Sequence, residues 1–505
     1  RSRIRQKTKN ASTRYSDFPS RNIRIFTRRT FGFSIAYNSD YHRNEIRIFH
    51  CLGFGFSRTP DKPYKRYGNG THMAQQNVKP NGYRPRIVDK QIERYMRIFG
   101  AVEIAGTKWC GKTWAARAHA NSITYVDRDN NLPMAQADPS LMLLGDRPHV
   151  IDEWAIAPAI WDEIRHKVDD EPGSKGQWLL TGSSTPQKDT RPQHTGAGRI
   201  GRIRMNPMSL CESGDSTGAV SLAGLFEGRF EPSKADNDTL KLFDITCRGG
   251  WPEAQNMPTE DAQILIREYI RLTLTEGVPK QGYDPEIARR LLNSLARNVS
   301  QSVTFETLRK DMYGTEEHLD DFISASKVSK YVAMFTDMFV IDDIPGWVPP
   351  HRSPKRMLTK PRRYFADPSI AAALLGINPH ALLNDWQTFG LLFENLCMRD
   401  LLVYARALPD IGMEPVRYYH DDSGLECDAI IELADGRWAG IEIKSSQDKV
   451  EQAAENLNRM KAKLLKNPQA RAKAPEFLAV LIGVGEFAYR REDGIYVIPI
   501  RTLGA

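Results

Sequence analysis

The sequence predicts an α/β protein with a mostly parallel sheet in its first half and a second, smaller α/β domain at its end. Short apolar segments at 101–105, 123–127, 149–151 and 178–180 alternate with helical patterns such as 112–120 and 159–168. Strands that alternate with helices form parallel sheets covered on both faces. After residue 389 a long helical pattern leads into short strands at 416–419, 429–433, 438–443 and 477–482. We therefore expect two separate α/β units.

Length and local pattern predict several domains along the 505 residues, because a single core rarely grows beyond about 300 residues. Between the two α/β units the pattern is mainly helical, and it is followed by two helices and a strand pair in a winged-helix layout. The predicted segments are a leader at 1–72, a first α/β core at 73–234, a helical subdomain at 235–300, a winged-helix segment at 301–375 and the last α/β domain at 376–505.

Composition excludes several classes of protein. The hydrophobic share of 41% and the charged share of 26% are typical of soluble globular chains. No run reaches the roughly 20 apolar residues that a membrane-spanning helix needs. Six cysteines are scattered without the paired spacing of metal sites. We expect free thiols, a cytoplasmic location and no membrane contact.

The positive net charge is concentrated at the start of the chain. Residues 1–72 hold 16 Lys and Arg against 4 acids, a net +12, so the total of +8 leaves −4 for the remainder. This leader contains no methionine before Met73. We expect it to be unfolded sequence upstream of the true start. The alternative is a basic targeting or nucleic-acid arm.

A phosphate-binding motif follows the first strand. The pattern G-x-x-x-x-G-K-[ST] is matched at every required position by Gly106, Thr107, Lys108, Trp109, Cys110, Gly111, Lys112 and Thr113. The glycines let backbone N–H groups turn toward phosphates, and the helix N-terminus adds a favourable dipole. We expect Lys112 to reach the β- and γ-phosphates of ATP and Thr113 to place its hydroxyl on Mg²⁺.

Two later strands end in polar residues of the kind that hydrolysis requires. Asp152 and Glu153 follow the strand at 149–151, and they suit a Mg²⁺-linked carboxylate and a general base for the attacking water. The strand at 178–180 is followed by Thr181 and Ser183, either of which is placed to sense the γ-phosphate. Ser183 is our first choice.

Arginines after the core are candidates for contact with the γ-phosphate. Arg199, Arg202 and Arg204 follow a glycine-containing loop, and we expect Arg199 to act as an arginine finger in a neighbouring subunit of a homo-oligomer. Ordinary surface arginines are the alternative for all three. Arg248, before Gly249 and Gly250, is expected to reach the γ-phosphate from the helical subdomain.

The chain resembles the prokaryotic AAA-type ATP-binding proteins that carry a C-terminal domain of unknown function. The resemblance rests on "GTKWCGKT", "VIDEW", "LLTGSSTP", "GAGRIGRIRMNPMSL" and "RGGWPEA", and it covers roughly residues 73–505. It implies a AAA-like P-loop core, a winged-helix segment, a restriction-nuclease-like C-terminal fold and ATP binding.

The last domain carries acids and a lysine with nuclease spacing. Alternation along a strand puts Glu442 and Lys444 on one face, fourteen and sixteen residues after Asp428. This resembles the PD-(D/E)XK pattern, with Glu394 as an extra acid and Cys427 in place of the proline. We expect Asp428 and Glu442 to hold a second Mg²⁺ and Lys444 to help activate a water.

DNA is the expected partner of the winged-helix segment. An apolar helical stripe at 326–339, with Ser326 as its expected N-cap, belongs to the core. The following basic stretch would supply phosphate contacts through Arg352, Lys355, Arg356, Lys360, Arg362 and Arg363. Protein interaction or a structural role is the alternative.

Two functions fit these residues. The first is Mg-dependent ATP hydrolysis that drives a nuclease-like module acting on nucleic acid. The second is an ATP-gated protein-interaction switch whose nuclease-like domain cleaves nothing. A nucleotide kinase is less well supported, because no second acceptor-site motif is found.

Overall fold

A five-stranded parallel sheet forms the first core of the chain. The computed structural model describes residues 78–182, 195–314, 323–350, 353, 356, 359–468, 470 and 472–505. The strands of this sheet are β1 Ala101–Gly106, β2 Ser122–Tyr125, β3 His149–Asp152, β4 Trp178–Thr181 and β5 Ile200–Met205. Their spatial order is β2-β3-β4-β1-β5, and all neighbours are parallel.

Helices cover both faces of this sheet, as its apolar strands require. They are α1 Val88–Ile98, α2 Lys112–Ala118, α3 Asn131–Ala137 and α4 Ala159–Asp170. Val102 and Leu179 pack with Ile92 of α1 and Ala115 of α2. The opposite face packs against α3 and α4. Strands buried on both faces read as continuous apolar runs, and this explains why the α/β fold class is predicted correctly.

Strand β5 was not predicted. Its sequence alternates buried Ile203 and Met205 with Arg202, which is exposed, and Arg204, which is half-buried. This is the pattern of an edge strand with one wet face. We expected the candidate arginines to follow a loop, but Arg202 and Arg204 lie on this strand of the core sheet and Arg199 lies directly before it.

Helices dominate the middle of the chain. They are α5 Leu210–Ser213, α6 Leu222–Phe226, α7 Thr239–Arg248, α8 Thr259–Leu272, α9 Val278–Lys280, α10 Pro285–Arg297, α11 Phe305–Tyr313 and α12 Ala325–Asp337. Two short strands, β6 Val220–Ser221 and β7 Ser233–Lys234, interrupt them. Ser324, not Ser326, caps α12, because the Ser324 hydroxyl accepts a hydrogen bond from the Lys327 N–H at 3.2 Å and Ser326 lies inside the first turn.

A strand pair links the helical region to the last domain. Strands β8 Ile341–Ile344 and β9 Arg362–Phe365 are antiparallel, with Asp342 opposite Tyr364. All four residues of β9 are buried. We call these two strands the β8–β9 pair.

The C-terminal domain is a seven-stranded sheet between two long helices. Its helices are α13 Pro368–Leu375, α14 Pro379–Leu382, α15 Trp386–Arg406 and α16 Val450–Lys466. Its strands are β10 Arg417–His420, β11 Glu426–Glu432, β12 Trp438–Ser446, β13 Phe477–Val484, β14 Phe487–Arg490 and β15 Tyr496–Pro499, with β16 Leu503–Gly504 following. The order is β10-β11-β12-β13-β15-β14-β7. Strands β10, β11 and β12 form an antiparallel meander, and β13 joins β12 in parallel.

Residues from the predicted ATP-binding core also join the C-terminal domain. Strand β7 pairs with β14, and β6 pairs with β16. One hydrophobic core runs from Leu210 through the helical region to Leu503. Residues 220–234 therefore associate with the C-terminal domain in space, although they lie before the predicted boundary at residue 234. In the described parts of the chain no helix has both the length and the hydropathy that membrane crossing requires.

Candidate functional sites

The glycine-bounded loop connects β1 to α2 along a backbone path that its two glycines permit. Gly106 has a φ of +153°, and a Cβ there would lie 2.0 Å from the backbone oxygen of Met205 on β5. Gly111, directly before α2, has a φ of +102°. Both conformations favour glycine. The loop backbone is thus shaped by β5 on one side and by the start of α2 on the other.

Lys112 and Thr113 point toward the ends of the central strands. The Lys112 ammonium is largely buried and donates to the Thr107 carbonyl oxygen at 2.8 Å, so it stays within the loop. The Thr113 hydroxyl donates to Asp152 Oδ1 at 2.9 Å. The Thr181 hydroxyl donates to the same oxygen at 2.5 Å. The ends of β3 and β4 therefore orient one carboxylate toward the first turn of α2.

This arrangement fits Mg²⁺ bound together with a nucleotide. A hydroxyl and a carboxylate oxygen are hard ligands of the kind that Mg²⁺ takes, and it usually completes its shell with phosphate and water. Thr113 and Asp152 would hold the ion. Of the two predicted residues after β4, Ser183 lies outside the described residues, and Thr181 is fully buried.

Glu153 has an unusual backbone conformation beside this cluster. Its φ of +56° lies in the left-handed region, which a non-glycine residue occupies at some cost. Such outliers concentrate at functional sites. Glu153 lines the same cavity as Lys112 and Asp152. The left-handed turn therefore places Glu153 in the wall of this cavity.

A cavity of about 620 Å³ opens over the loop, within the usual range for small-molecule sites. Three parts of the chain line it: the segment before α1, the loop with the ends of β3 and β4, and the start of the helical region. From the first and third parts come Tyr83, Arg84, Arg86, Trp251, Pro252, Asn256 and Leu265. The exposed Trp109 and Trp114 also contribute to the wall.

Arg86 was not predicted as a site residue, but its side chain is hydrogen-bonded to the backbone of the phosphate loop. Its guanidinium donates to the carbonyl oxygens of Cys110 and Asn206, both at 2.9 Å. It also pairs with Glu212 at 2.9 Å, and both side chains are buried. Glu212 in turn closes a capping box with Ser209. The S-x-x-E spacing could have revealed that cap, but no local signal identifies its partner 126 residues away.

The four arginines considered as γ-phosphate contacts do not line the cavity. Each pairs with an acid: Arg199 with Asp169, Arg202 with Glu103, Arg204 with Asp342, and Arg248 with Asp215. Arg199 and Arg202 are exposed, whereas the other two are more deeply placed. In this conformation none of them contacts the phosphate loop within its own chain.

The predicted acids of the last domain do come together. Lys444 Nζ lies 2.8 Å from Glu442 Oε1 and 3.8 Å from Asp428 Oδ2. Asp428 Oδ2 also accepts the Ile443 N–H at 2.8 Å. Burial, followed by the charge of Asp428, raises the pKa of Glu442 and that of Glu394 to about 8. Asp428 and Glu442 are buried, and the cluster lies between α15, β11 and β12.

A second cation, missed by the sequence, lies among these acids. Arg362 of β9 reaches Asp428 Oδ1 at 3.1 Å and Glu394 Oε1 at 3.6 Å, and it also pairs with Glu426. Its neighbour on the same face, Tyr364, donates to Glu394 Oε1 at 2.7 Å. A magnesium ion needs near-octahedral oxygen ligands at about 2.1 Å. With Arg362 and Lys444 in place, these side chains do not fit one.

The basic stretch around β9 is largely engaged inside the protein. Arg356 pairs with Glu432 at 2.8 Å, and Arg363 pairs with Asp343 at 3.2 Å. Together with Arg362 these groups point inward, although we expected them to contact phosphates. Arg352 and Lys355 lie outside the described residues, and Lys360 is exposed.

Comparison with protein families identifies three segments. Residues 99–213 match the AAA domain family. Residues 239–381 and 389–503 match two domains of unknown function, DUF8612 and DUF4143. The expected AAA domain followed by a C-terminal domain of unknown function is confirmed. The core is thus P-loop ATPase-like, and nucleotide binding with Mg²⁺ is typical of that class of domain.

Several solved structures align with the chain at low sequence identity. A Walker-type ATPase of Pyrococcus abyssi is 12% identical, and the match covers 57% of this chain and 94% of that one, with a TM-score of 0.34. The RuvB Holliday junction branch migration motor of Thermotoga maritima is 15% identical, with coverages of 54% and 94% and a TM-score of 0.25. ORC1 of Aeropyrum pernix, in complex with DNA, is 13% identical, with coverages of 59% and 95% and a TM-score of 0.24. No curated protein matches the chain.

Proposed function

We propose that this chain binds Mg-ATP in the cavity over the loop and hydrolyses it with Lys112, Asp152 and Glu153. The observation that carries the proposal is the convergence of Thr113 and Thr181 on one carboxylate oxygen of Asp152. Three separate elements meet at that oxygen, next to the cavity that opens over the glycine-bounded loop. Such positioning, together with electrostatic stabilisation, accounts for most of phosphoryl-transfer catalysis.

Each residue has a distinct role in this proposal. Lys112 exchanges its internal bond to Thr107 for the β- and γ-phosphates and neutralises the developing charge. Thr113 and Asp152 hold Mg²⁺, which supplies further charge neutralisation when bound. Glu153 accepts a proton from the attacking water. Removing a positioned general base typically lowers a rate by about 10²- to 10⁴-fold.

The nucleoside end of ATP fits between the segment before α1 and the helical region. Arg84 Nη2 donates to Asn256 Oδ1 at 3.1 Å and so joins the two walls of the cavity. Trp251 packs on Tyr269 of α8 at 4.9 Å, and Trp109 of the loop lies 5.9 Å from the same ring. This aromatic row links the loop to the helical region. Nucleotide binding is therefore expected to change how α8 packs on the loop.

The test is ATP hydrolysis by the full chain, with Lys112→Ala and Glu153→Gln as variants. Lys90→Ala and Glu93→Gln, both on the exposed face of α1, are matched controls for the loss of one charge. We expect both site variants to lose turnover and both controls to keep it. Tryptophan fluorescence from Trp109 and Trp114 reports binding, which Glu153→Gln should retain. Unchanged hydrolysis in Lys112→Ala would refute the proposal.

Arg199 is our candidate for a contribution from a neighbouring subunit of a homo-oligomer. Its side chain is 47% exposed and is held by Asp169, itself exposed, at 2.8 Å. An exposed pair of this kind exchanges partners at little cost. Arg199→Ala should lower hydrolysis only under conditions in which the protein assembles. An equal rate for the variant in the assembled state would exclude this role.

The winged-helix and nuclease-like folds remain proposals for the rest of the chain. Helices α10, α11 and α12 followed by the β8–β9 pair support the first. Helix α15, the meander β10-β11-β12, helix α16 and the parallel strand β13 support the second. DNA is the partner to test first, and stimulation of ATP hydrolysis by duplex DNA is the direct assay.

A second candidate function is favoured by one observation. Arg362 lies among the acids that a nuclease would use for metal binding. An ATP-gated interaction switch needs no cleavage and tolerates this arrangement. The two functions differ in whether the full chain with Mg²⁺ cuts DNA in an Asp428-dependent way.

A further inference from the structure

Two cations of the protein lie among the acids of the C-terminal domain. Arg362 and Lys444 together contact four carboxylates, those of Glu394, Glu426, Asp428 and Glu442. The Arg362 residue is only 7% exposed, and Asp428 and Glu442 are buried to a similar degree. Charges in such surroundings must be paired, because desolvation is costly. Here the protein itself supplies two cations, Arg362 and Lys444, to the four carboxylates.

Contacts of Arg362 and of the residues that follow it on β9 restrain the position of the Arg362 side chain. Its guanidinium lies over the Tyr418 ring at 4.8 Å. Three residues further along the same strand, the Phe365 backbone exchanges two hydrogen bonds with the Asn395 side chain, at 2.9 and 2.8 Å. Tyr364, between them, holds Glu394. Strand β9 is thus fixed to α15 through Tyr364 and Phe365, which directly follow the segment that carries Arg362.

One acceptor in the cluster is left over. Glu442 Oε2 is buried and has no hydrogen-bond partner among the described residues. It lies on the carboxylate whose other oxygen accepts Lys444. An acidic cluster with a spare oxygen and with one cation removed would have the charge and the ligands for a divalent ion.

We propose that Arg362 takes the place of a divalent metal in this cluster, so that the C-terminal domain folds around a metal-free set of ion pairs. Phosphodiester cleavage by Asp428, Glu442 and Lys444 is then not an activity of the folded chain. The role of this domain is to fix the β8–β9 pair against α15. This inference goes beyond ATP hydrolysis and does not depend on it.

The test counts Mn²⁺ bound by the nucleotide-free full chain, with electron paramagnetic resonance as the readout of free ion. The four proteins are wild type, Asp428→Asn, Arg362→Gln and the double variant. Asparagine keeps an acceptor for the Ile443 N–H, so the strand pairing is retained. Because the phosphate loop is the same in all four, ions bound there cancel in each comparison.

We expect wild type and Asp428→Asn to bind equal amounts of Mn²⁺. Arg362→Gln should bind one more ion per chain than the double variant, and Arg362→Lys should behave as wild type. An Asp428-dependent ion in wild type would overturn the proposal, as would the absence of one in a folded Arg362→Gln. If circular dichroism shows that Arg362→Gln is unfolded, the comparison of wild type with Asp428→Asn and Glu442→Gln decides. Equal binding by these three upholds the exclusion of metal, and a loss of one ion in either variant refutes it.

Discussion

Arg204 of β5 and Asp342 of β8 form an ion pair with 2.8 Å between Nη2 and Oδ1, and this pair joins the ATPase-like core to the β8–β9 pair. The next residue of β5, Met205, is the partner of Gly106 at the start of the phosphate loop. Asp342 lies opposite Tyr364, which holds Glu394. Packed strands and one ion pair therefore connect the loop to the C-terminal acids.

This ion pair is expected to be energetically coupled. The Asp342 side chain is 8% exposed and that of Arg204 is 24% exposed, so water screens the pair only in part. In a double-mutant cycle with Arg204→Gln and Asp342→Asn, urea unfolding should give an interaction of about 0.5–3 kcal/mol. The exposed pair of Arg199 and Asp169 is the control, with about 0–1 kcal/mol expected. Additive effects at Arg204 and Asp342 would contradict the coupling.

A second prediction concerns Arg399, which links three distant parts of the chain. It pairs with Asp400 at 2.7 Å and with Asp367 at 2.9 Å, and the side chains are essentially unexposed. Asp367 also accepts the Gly250 N–H at 2.8 Å. Arg399→Met leaves two buried carboxylates without their cation, and we expect the free energy of unfolding to fall by about 3–5 kcal/mol.

Urea denaturation measures that loss, with the exposed Arg437→Met as the matched control. Arg437 also pairs with a nearby acid, Asp435, at 2.7 Å, but both side chains are well exposed. The control should change stability by less than about 1 kcal/mol. Similar losses in the two variants would mean that burial does not determine how much the Arg399 ion pairs contribute to the free energy of unfolding.

A third prediction is loss of stability in acid through His149 of β3. Burial lowers the pKa of His149 to about 4, although a hydrogen bond to the Met142 carbonyl oxygen opposes the shift. The unfolded chain, with a histidine pKa near 6.5, binds the proton more readily between these values. Stability is therefore full above about pH 6.5 and is lost as the pH falls toward 4.

The measurement is the free energy of unfolding of wild type and His149→Gln between pH 7 and pH 4.5. The shift corresponds to a contribution of up to about 3 kcal/mol. The variant should lose less stability than wild type over this range, so the two curves converge. His166→Gln, at an exposed position on α4, is the control and should follow wild type. Parallel curves for His149→Gln would contradict the assignment.

Local motifs predict the phosphate loop, Asp152 and Glu153 as one site, because each lies on or next to a strand whose apolar run is visible in the sequence. In the structure these residues line one cavity. The acids of the last domain were found in the same way, from alternation along β12. Arg86 and Arg362 were missed as site residues. Their partners lie 126 and 66 residues away, and nothing in the adjacent sequence indicates which acid they meet.

The basic stretch before α13 also shows that the partners of a charged residue cannot be read from the sequence around it. From sequence its arginines were interpreted as phosphate contacts, because a run of positive charge usually lies on the surface. The fold instead pairs Arg356, Arg362 and Arg363 with acids of β8, β11 and α15. Charge counts predict where a chain is basic, but only tertiary packing decides whether that charge is available.

The last prediction concerns Thr181, whose hydroxyl shares Asp152 Oδ1 with Thr113. A hydrogen bond to a charged group contributes about 1.5–3 kcal/mol, so Thr181→Val should lower kcat for ATP hydrolysis by about 10- to 100-fold. Thr124→Val on β2 is the matched control, because its hydroxyl contacts His149 at 3.1 Å rather than Asp152. The control should keep its kcat. Hydrolysis by Thr181→Val at the wild-type rate, in a variant that still binds nucleotide by tryptophan fluorescence, would show that Thr113 alone is enough to orient Asp152.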